Sequence, residues 1–308
     1  MSAFRTVKLF VLAMFLARPC WGGAGAEPLN FLFLDADARP VGLAGAYTAL
    51  ASDANALLYN PAGLARTDRL ETTFMHNEYF QGVAQEYFGL ASAQGWGANL
   101  NFLRFGDVPR TTISQPGGTG ETATLNDIAV GLGYGRTVLP GLSAGIGAKW
   151  IRETIAGISA GGLAFDAGAL YDVPAVERLT LGMSVQNMGR TVTYQQAREN
   201  LPLNLRMGAA YRFALGGQWN TLSLDVTKER SQSPNMAVGV ETVVAGALPL
   251  RMGYGTRNDA GPGIAAGIGW LLGDNRMDYA FEPFGELGSA HRFSVTWRWG
   301  KAREQSAW

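Results

Sequence analysis

Beyond about Leu70 the chain repeats one pattern. Apolar and polar side chains alternate, and a period of two restricts the chain to β-structure. In Arg292 to Gly300, Phe293, Val295, Trp297 and Trp299 alternate with Arg292, Ser294, Thr296, Arg298 and Gly300. Leu201 to Phe213 sets Leu201, Leu203, Leu205, Met207, Ala209, Tyr211 and Phe213 against Asn204, Arg206, Gly208, Ala210 and Arg212. Leu142 to Trp150 repeats the pattern, with Ser143, Gly145, Gly147 and Lys149 on its polar face. Such runs last about 9–11 residues, the length a tilted strand needs to cross a bilayer. About fourteen of them follow one another.

A soluble sandwich alternates too, and two features favour a membrane barrel over it. Aromatic residues gather at the ends of the apolar faces: Tyr134, Trp150, Tyr171, Tyr211, Trp270, Trp297 and Trp299, as interfacial girdles do. The connections also alternate in length. Short ones fall at Ala93–Gly95, Leu139–Gly141, Leu215–Gly217, Gly246-Ala247 and Gly273-Asp274. Longer or more polar ones fall at Gly106–Asn126, Gly189–Asn200, Glu229–Pro234 and Thr256–Gly261. Short turns on one side and long loops on the other, with an even strand number, are the barrel pattern. Forty-one glycines and only 16% charged residues suit an ordinary soluble enzyme poorly, and 47% apolar content excludes disorder.

The N-terminus reads as a secretory leader. Arg5 and Lys8 precede the apolar run Leu9 to Ala17, and Ala24-Gly25-Ala26 offers a small-residue cleavage site. The run falls short of the roughly 20 residues that span a bilayer. Cleavage after Ala26 removes Cys20, the one cysteine of the chain, so the mature protein has no disulfide and no cysteine-ligated metal. Removing the leader's three basic residues from the 25 leaves 22 against 25 acidic, a net of −3. That balance argues against a nucleic-acid partner.

Between leader and strands lies Ala38 to Arg66, ARPVGLAGAYTALASDANALLYNPAGLAR, rich in small residues. It reads as helix and loop. Ala46 to Ala51 carries no helix breaker, Asp53 is placed to cap a turn over Ala54 to Leu58, and Asn60-Pro61 stops it. Opposite the apolar positions of the strands fall Gly131, Gly133, Gly135, Gly145, Gly147, Gly182, Gly208, Gly239, Gly253, Gly255, Gly267 and Gly269. Glycine weakens strands and is kept for close approach. A lumen lined in this way can hold something packed against its wall, and Ala38 to Arg66 is the evident occupant. The expected organisation is a leader (1–26), a plug or hatch (27–67), an all-β transmembrane antiparallel barrel (68–300) and a tail (301–308).

The run GLAGAYTALASDANALLYNPAGLA resembles the N-terminal signature of the PorV/PorQ family, within the FadL-like barrel superfamily. His76-Asn77-Glu78, Gln85-Glu86-Tyr87, Phe105 to Arg110, Ala164 to Tyr171, Ser184 to Gly189, Leu201 to Arg212 and the closing blocks DYAFEPFGELG and HRFSVTWRW resemble later family segments in order. One departure is Ala44 before a single Gly45, where the family tends to have paired glycines. The resemblance implies a fourteen-stranded outer-membrane barrel with an N-terminal hatch, linked in some bacteria to type IX protein secretion.

Candidate site residues fall into two groups. The hatch motif comprises Gly42, Gly45, Ala46, Asp53, Asn60, Pro61 and Gly63. The polar lumen or loop residues are His76, Glu78, Glu86, Asp107, Arg110, Asp166, Arg206 and Arg292. Arg or Lys facing lipid at mid-depth costs about 2–4 kcal/mol, so such charges are expected to face inward. Two histidines far apart make a Ser-His-acid hydrolase weakly supported. No ligand spacing matches a metal site and no glycine run matches a phosphate loop. No catalysis, cofactor or metal is expected. Two functions remain besides a purely structural barrel. One is a docking component in protein export, with secretion-system proteins or exported cargo as partners. The other is a passive channel for hydrophobic small molecules.

Overall fold

The computed structural model describes residues 28–106, 108–194 and 197–302. The expected leader, Asp107 and most of the expected tail, Trp308 included, lie outside the described residues.

Among the described residues, eighteen strands follow in chain order. β1 (Leu70–Glu78), β2 (Ala84–Ala91) and β3 (Trp96–Arg104) come first, then a small ribbon, β4 (Val108–Pro109) with β5 (Thr122–Ala123). β6 (Leu125–Leu139), β7 (Leu142–Ile155), β8 (Ile158–Asp172) and β9 (Leu179–Gly189) precede a second ribbon, β10 (Val192–Tyr194) with β11 (Ala197–Glu199). β12 (Asn204–Leu215), β13 (Gln218–Glu229), β14 (Asn235–Val244), β15 (Leu248–Gly255), β16 (Ile264–Leu272), β17 (Asn275–Pro283) and β18 (Ser289–Trp299) complete the series. Fourteen of them, all but the two ribbons, form one closed antiparallel barrel. β1 closes on β18 in a register from Leu70↔Trp299 to Glu78↔His291.

The alternation runs inside out relative to a soluble protein. On β18, Arg292, Ser294 and Thr296 are buried to within 2% of complete, whereas Phe293, Trp297 and Trp299 are 46–55% exposed. The same parity holds around the ring, with Phe74, Leu132, Ile146, Leu224, Met252 and Ile268 outward. An apolar outer belt over a polar interior is stable where the surrounding solvent is lipid, and closure leaves no strand edge unpaired there.

Short turns gather at one end. Gly216-Gly217 makes one of several two-residue turns there, with φ of 60° and 76°, the left-handed pair of a type I′ hairpin. Most of the exposed aromatics gather at this end too: Trp96, Tyr171, Tyr211, Trp219, Trp270, Trp297 and Trp299. Trp150 stands in the half of β7 nearer the other end. Long loops and both ribbons occupy that other end, with one exception: β7 and β8 are joined there by Ala156-Gly157 alone.

Residues 29–67 fill the lumen. They contain a 3₁₀ turn at Asn30–Phe33, a helix at Ala38–Gly42, a helix at Ala56–Tyr59 and a 3₁₀ turn at Pro61–Arg66. One local expectation fails here: Ala46 to Ala51 forms turns rather than helix. Asp53 does cap the turn that opens at Ala54, its carbonyl accepting from Ala56 N at 3.0 Å. The helix starts at Ala56, while Asp53 accepts bonds from the Asn55 amide (3.0 Å) and the Tyr47 hydroxyl (2.5 Å). Helices this short are marginal alone, so bonds to partners in the lumen set the backbone path. Asn60 behaves as expected: it is extended (φ −160°), ends one helix and starts the next turn with Pro61 at its first position.

Candidate functional site

Most of the wall glycines are where the hatch backbone touches the barrel, but Gly131 and Gly269 face only wall side chains, and Gly133 and Gly147 meet the hatch only at the Leu57 side chain. A Cβ at Gly182 would lie 2.6 Å from the Thr48 carbonyl oxygen, 2.8 Å from its carbon and 2.9 Å from Ala49 Cα. At Gly135 it would lie 2.7 Å from Ala65 N and 2.9 Å from Pro61 O. Gly145 leaves no room for a side chain under Pro61, nor Gly168 under Asn60, nor Gly253 under Leu43. Within the hatch motif, a Cβ at Gly42 would meet Gly267 Cα at 3.1 Å, and Gly63 has no space beside Ala51. Ala46 is fully buried. The Asn60 amide donates to Thr48 O (3.1 Å) and to the wall at Ala169 O (3.0 Å).

Charged groups tie the hatch on the side formed by β12 to β18. Arg39 forms a two-point pair with Glu241, at 2.9 and 2.8 Å. Glu241 also accepts from Arg251 (2.6 Å), which reaches Asp278 (2.6 Å), itself paired with Arg276. Asp225 accepts from Tyr47 N, Thr48 N and Thr48 Oγ1, while Arg206 donates to Gly45 O (2.7 Å) and Thr48 Oγ1 (3.0 Å). Asp37 accepts from Asn55, from Thr73 on β1 and from Ser294 on β18. Asp35 pairs with Arg257 in the β15–β16 loop, which also donates to Phe33 O (2.9 Å). Burial works to raise the Asp35 carboxyl, but Arg257, Arg206 and Arg292 outweigh it and hold the group below its ordinary value.

The expected polar residues separate. Arg206 and Arg292 face inward, as does Asp166, which pairs with Lys149 (2.9 Å) and accepts from Asn187 N (2.8 Å). Arg110 sits in the loop beyond β4, paired with Glu121 (3.2 Å) and exposed. His76, Glu78 and Glu86 are a correction: they lie on the outward face near the long-loop end, because Thr73, Met75 and Asn77 take the inward positions of β1. His76 Nδ1 stands 2.7 Å from Glu86 there. His291 contacts Ser289 Oγ through Nε2 (3.1 Å) and the Tyr279 hydroxyl through Nδ1 (2.9 Å). A phenol in place of a carboxylate behind His291 lacks the anion that would steady an imidazolium during acyl transfer. Among the described residues no group of three or more metal-ligating side chains is arranged to hold a metal ion.

Sequence reasoning misses Asp35, Asp37, Arg39, Asn55, Asp225 and Arg257. Charged residues inside an otherwise small and apolar plug, DADAR at 35–39, were the available signal. A charge buried in a hatch needs a partner in the wall.

Above the hatch, at the long-loop end, a cavity of about 350 Å³ opens. Its rim carries Tyr79, Phe80, Arg257, Glu282, Phe284 and Arg292, and its floor Asn30, Phe33, Leu34, Asp35, Val41 and Ala44. Tyr79, Phe80 and Phe284 form one aromatic cluster, with ring centres 5.2–5.9 Å apart. Arg292 is spanned between Glu282 (3.0 Å) and the Tyr79 hydroxyl (2.7 Å).

Comparison with solved structures matches this plugged ring. A monoaromatic hydrocarbon channel, CymD, aligns with a TM-score of 0.55 at 10% identity, over 88% of this chain and 97% of that one. A Pseudomonas aeruginosa FadL homologue aligns at 0.51 and 12%, over 84% and 97%. The fold is FadL-like. The model of an uncharacterised protein family, UPF0164, matches residues 23–164. No curated protein matches.

Proposed function

We propose that this protein is an outer-membrane channel that passes small hydrophobic molecules without catalysis, admitting them through the vestibule above the hatch. In bacterial barrels the short turns lie on the periplasmic side, so the vestibule faces outward and receives solute from outside the cell. The observation that carries this reading is the vestibule itself. About 350 Å³ is the size of a small-ligand pocket. Phe80 and Phe284 give it an apolar rim, and Phe33, Leu34 and Val41 of the plug give it an apolar floor. CymD, which shares the fold, is a monoaromatic hydrocarbon channel, and this supports the same class of solute.

The test is uptake of N-phenyl-1-naphthylamine by intact cells with and without the gene, and with Phe284→Asp in the vestibule wall. Slower uptake in both altered strains is expected. Uptake independent of the gene would overturn the proposal. The PorV/PorQ resemblance suggests a second role, docking of exported proteins on the outer loops, and the β4–β5 ribbon with its fully exposed Ile113 offers a surface for it. A comparison of surface and secreted proteins with and without the gene separates the two: a lost set of exported proteins with unchanged uptake would favour docking.

A further inference from the structure

Two loops build the aromatic side of the vestibule. Tyr79 is the first residue after β1, and Phe284 is the first after β17. Each is anchored through its own backbone: Tyr79 N donates to Val83 O and Phe284 N to Gly288 O, both at 2.8 Å. Phe80 completes the cluster, its ring centre 5.9 Å from that of Tyr79 and 5.2 Å from that of Phe284. Rings set edge-on and tilted in this way offer a flat apolar solute a face to pack against.

The hydroxyl of this cluster is partnered on one side only. Tyr79 Oη accepts from Arg292 Nη2 (2.7 Å), and among the described residues no acceptor takes its proton. A phenol both accepts and donates, and a guanidinium on its oxygen polarises the O–H that remains. Arg292 is itself pinned by Glu282 (3.0 Å), so the hydroxyl is held in place. A solute whose body lies on Phe80 and Phe284 and which carries an oxygen can accept that proton. A hydrocarbon of the same shape covers the hydroxyl and leaves it unpaired, which weakens binding.

The charged groups of the lining tell against ionic solutes. Both guanidiniums are already paired, Arg257 with Asp35 and Arg292 with Glu282, and Glu229 adds a third carboxylate. The lining therefore carries one negative charge in excess. A carboxylate entering it would leave water for a site with no guanidinium to spare. An ammonium group has no lone pair for the Tyr79 proton and would stand beside Arg292.

We infer that the vestibule selects uncharged aromatic molecules that carry an oxygen acceptor, such as aromatic ketones, alcohols and esters, and that Tyr79 is the residue that reads the oxygen. This names the solute class of the proposed channel and rests on that reading for its purpose. Binding itself is measured apart from transport.

The full chain is reconstituted in phospholipid nanodiscs, and its fold is verified by heat-modifiable gel mobility. Binding of acetophenone, ethylbenzene and benzoate is followed at pH 7 by saturation-transfer NMR, with empty nanodiscs as blank. Tyr79→Phe keeps the ring cluster and removes the hydroxyl alone. It is expected to weaken acetophenone binding by about three- to tenfold, the worth of one neutral hydrogen bond, and to leave ethylbenzene unchanged or tighter. Benzoate is expected to bind the unsubstituted protein at least about tenfold more weakly than acetophenone. Glu282→Gln removes one negative charge and unties Arg292, so it should strengthen benzoate binding. One variant tests the oxygen and the other the charge, so either serves if its companion does not fold. Acetophenone indifferent to Tyr79→Phe, benzoate as tight as acetophenone, benzoate unmoved by Glu282→Gln, or no saturable acetophenone binding would overturn the inference. If acetophenone binding depends on Tyr79 while naphthylamine uptake is independent of the gene, the channel reading falls and the binding site stands. Gene-dependent uptake with acetophenone indifferent to Tyr79→Phe gives the reverse.

Discussion

Gly182→Ala adds one methyl group to the lumen wall, and the geometry fixes what it meets. The new Cβ would stand 2.6, 2.8 and 2.9 Å from three backbone atoms of Thr48 and Ala49. Ordinary carbon contacts begin near 3.5 Å, so the hatch must move by roughly 1 Å. None of the three atoms is the end of a flexible side chain. Thr48 is also bound by Asp225 and Arg206, so the shift strains those bonds as well. Overpacking of a filled interior costs about 1–3 kcal/mol, and the distorted bonds place this case at the upper end. Gly147→Ala is the control. It lies on the lumen face of β7, as Gly182 does on β9, but its Cβ would meet Leu57 Cδ2 at 3.5 Å, an ordinary contact. Replacing a strand glycine by alanine without a clash gains about 0.5–1 kcal/mol. That gain is common to both variants and cancels, so they should differ by the overpacking cost, about 2–3 kcal/mol. The assay is urea-dependent loss of protease protection at the hatch, in folded barrels verified by heat-modifiable gel mobility. Equal midpoints for the two variants would refute the claim that wall glycines exist to admit the hatch backbone.

Glu241→Gln should destabilise the seated hatch by about 3–5 kcal/mol, because it leaves both Arg39 and Arg251 short of a carboxylate, whereas Arg39→Gln should cost only about 2 kcal/mol since Glu241 keeps Arg251; the same protease assay ranks them. Ala44→Gly should relieve a left-handed alanine, a strain of about 1–2 kcal/mol, offset by about 0.5–1 kcal/mol of glycine entropy. A small net rise in the urea midpoint is expected, and a clear fall would refute the strain argument. For Asp35 the folded carboxyl is held below its unfolded value, so its stabilisation is present above about pH 4 and is lost as pH falls through the folded value. Hatch protection in the unsubstituted protein should therefore decline below about pH 4 more steeply than in Asp35→Asn, as measured by proteolysis with an acid-active protease.

The barrel is legible in β18 and β12 because a membrane strand must alternate over its whole length, and Arg292 or Arg206 placed opposite Trp297 or Tyr211 has one face to choose. The glycines at 135, 145 and 182 carry a second legible message, since strands tolerate them at that density only where another backbone comes close. What escapes is parity in strands with mixed faces. On β1 both faces carry polar groups, so His76 and Glu78 could be set inward until Met75 and Asn77 claimed the lumen. The hatch interior escapes for a different reason. Its turns at 46–51 follow carbonyl and amide bonds to Asp225 and Arg206, more than 150 residues away, and no local propensity encodes a partner at that distance. Arg39 and Asp37 could be flagged as charges needing partners, but only the closed ring shows which.

Asp37 has a meaning beyond its place in the hatch. Its two carboxylate oxygens hold Thr73 on the first wall strand and Ser294 on the last, so one plug residue stitches the seam where the ring shuts. Those strands must find each other across more than 220 residues of chain, a costly encounter for any polymer. A plug that enters before the ring is complete and offers a bond to each end lowers that cost. These bonds predict that the segment filling the lumen also clamps the ring during assembly, and a barrel built without residues 29–67 should be slow to shut, read as a delayed rise of heat-modifiable gel mobility.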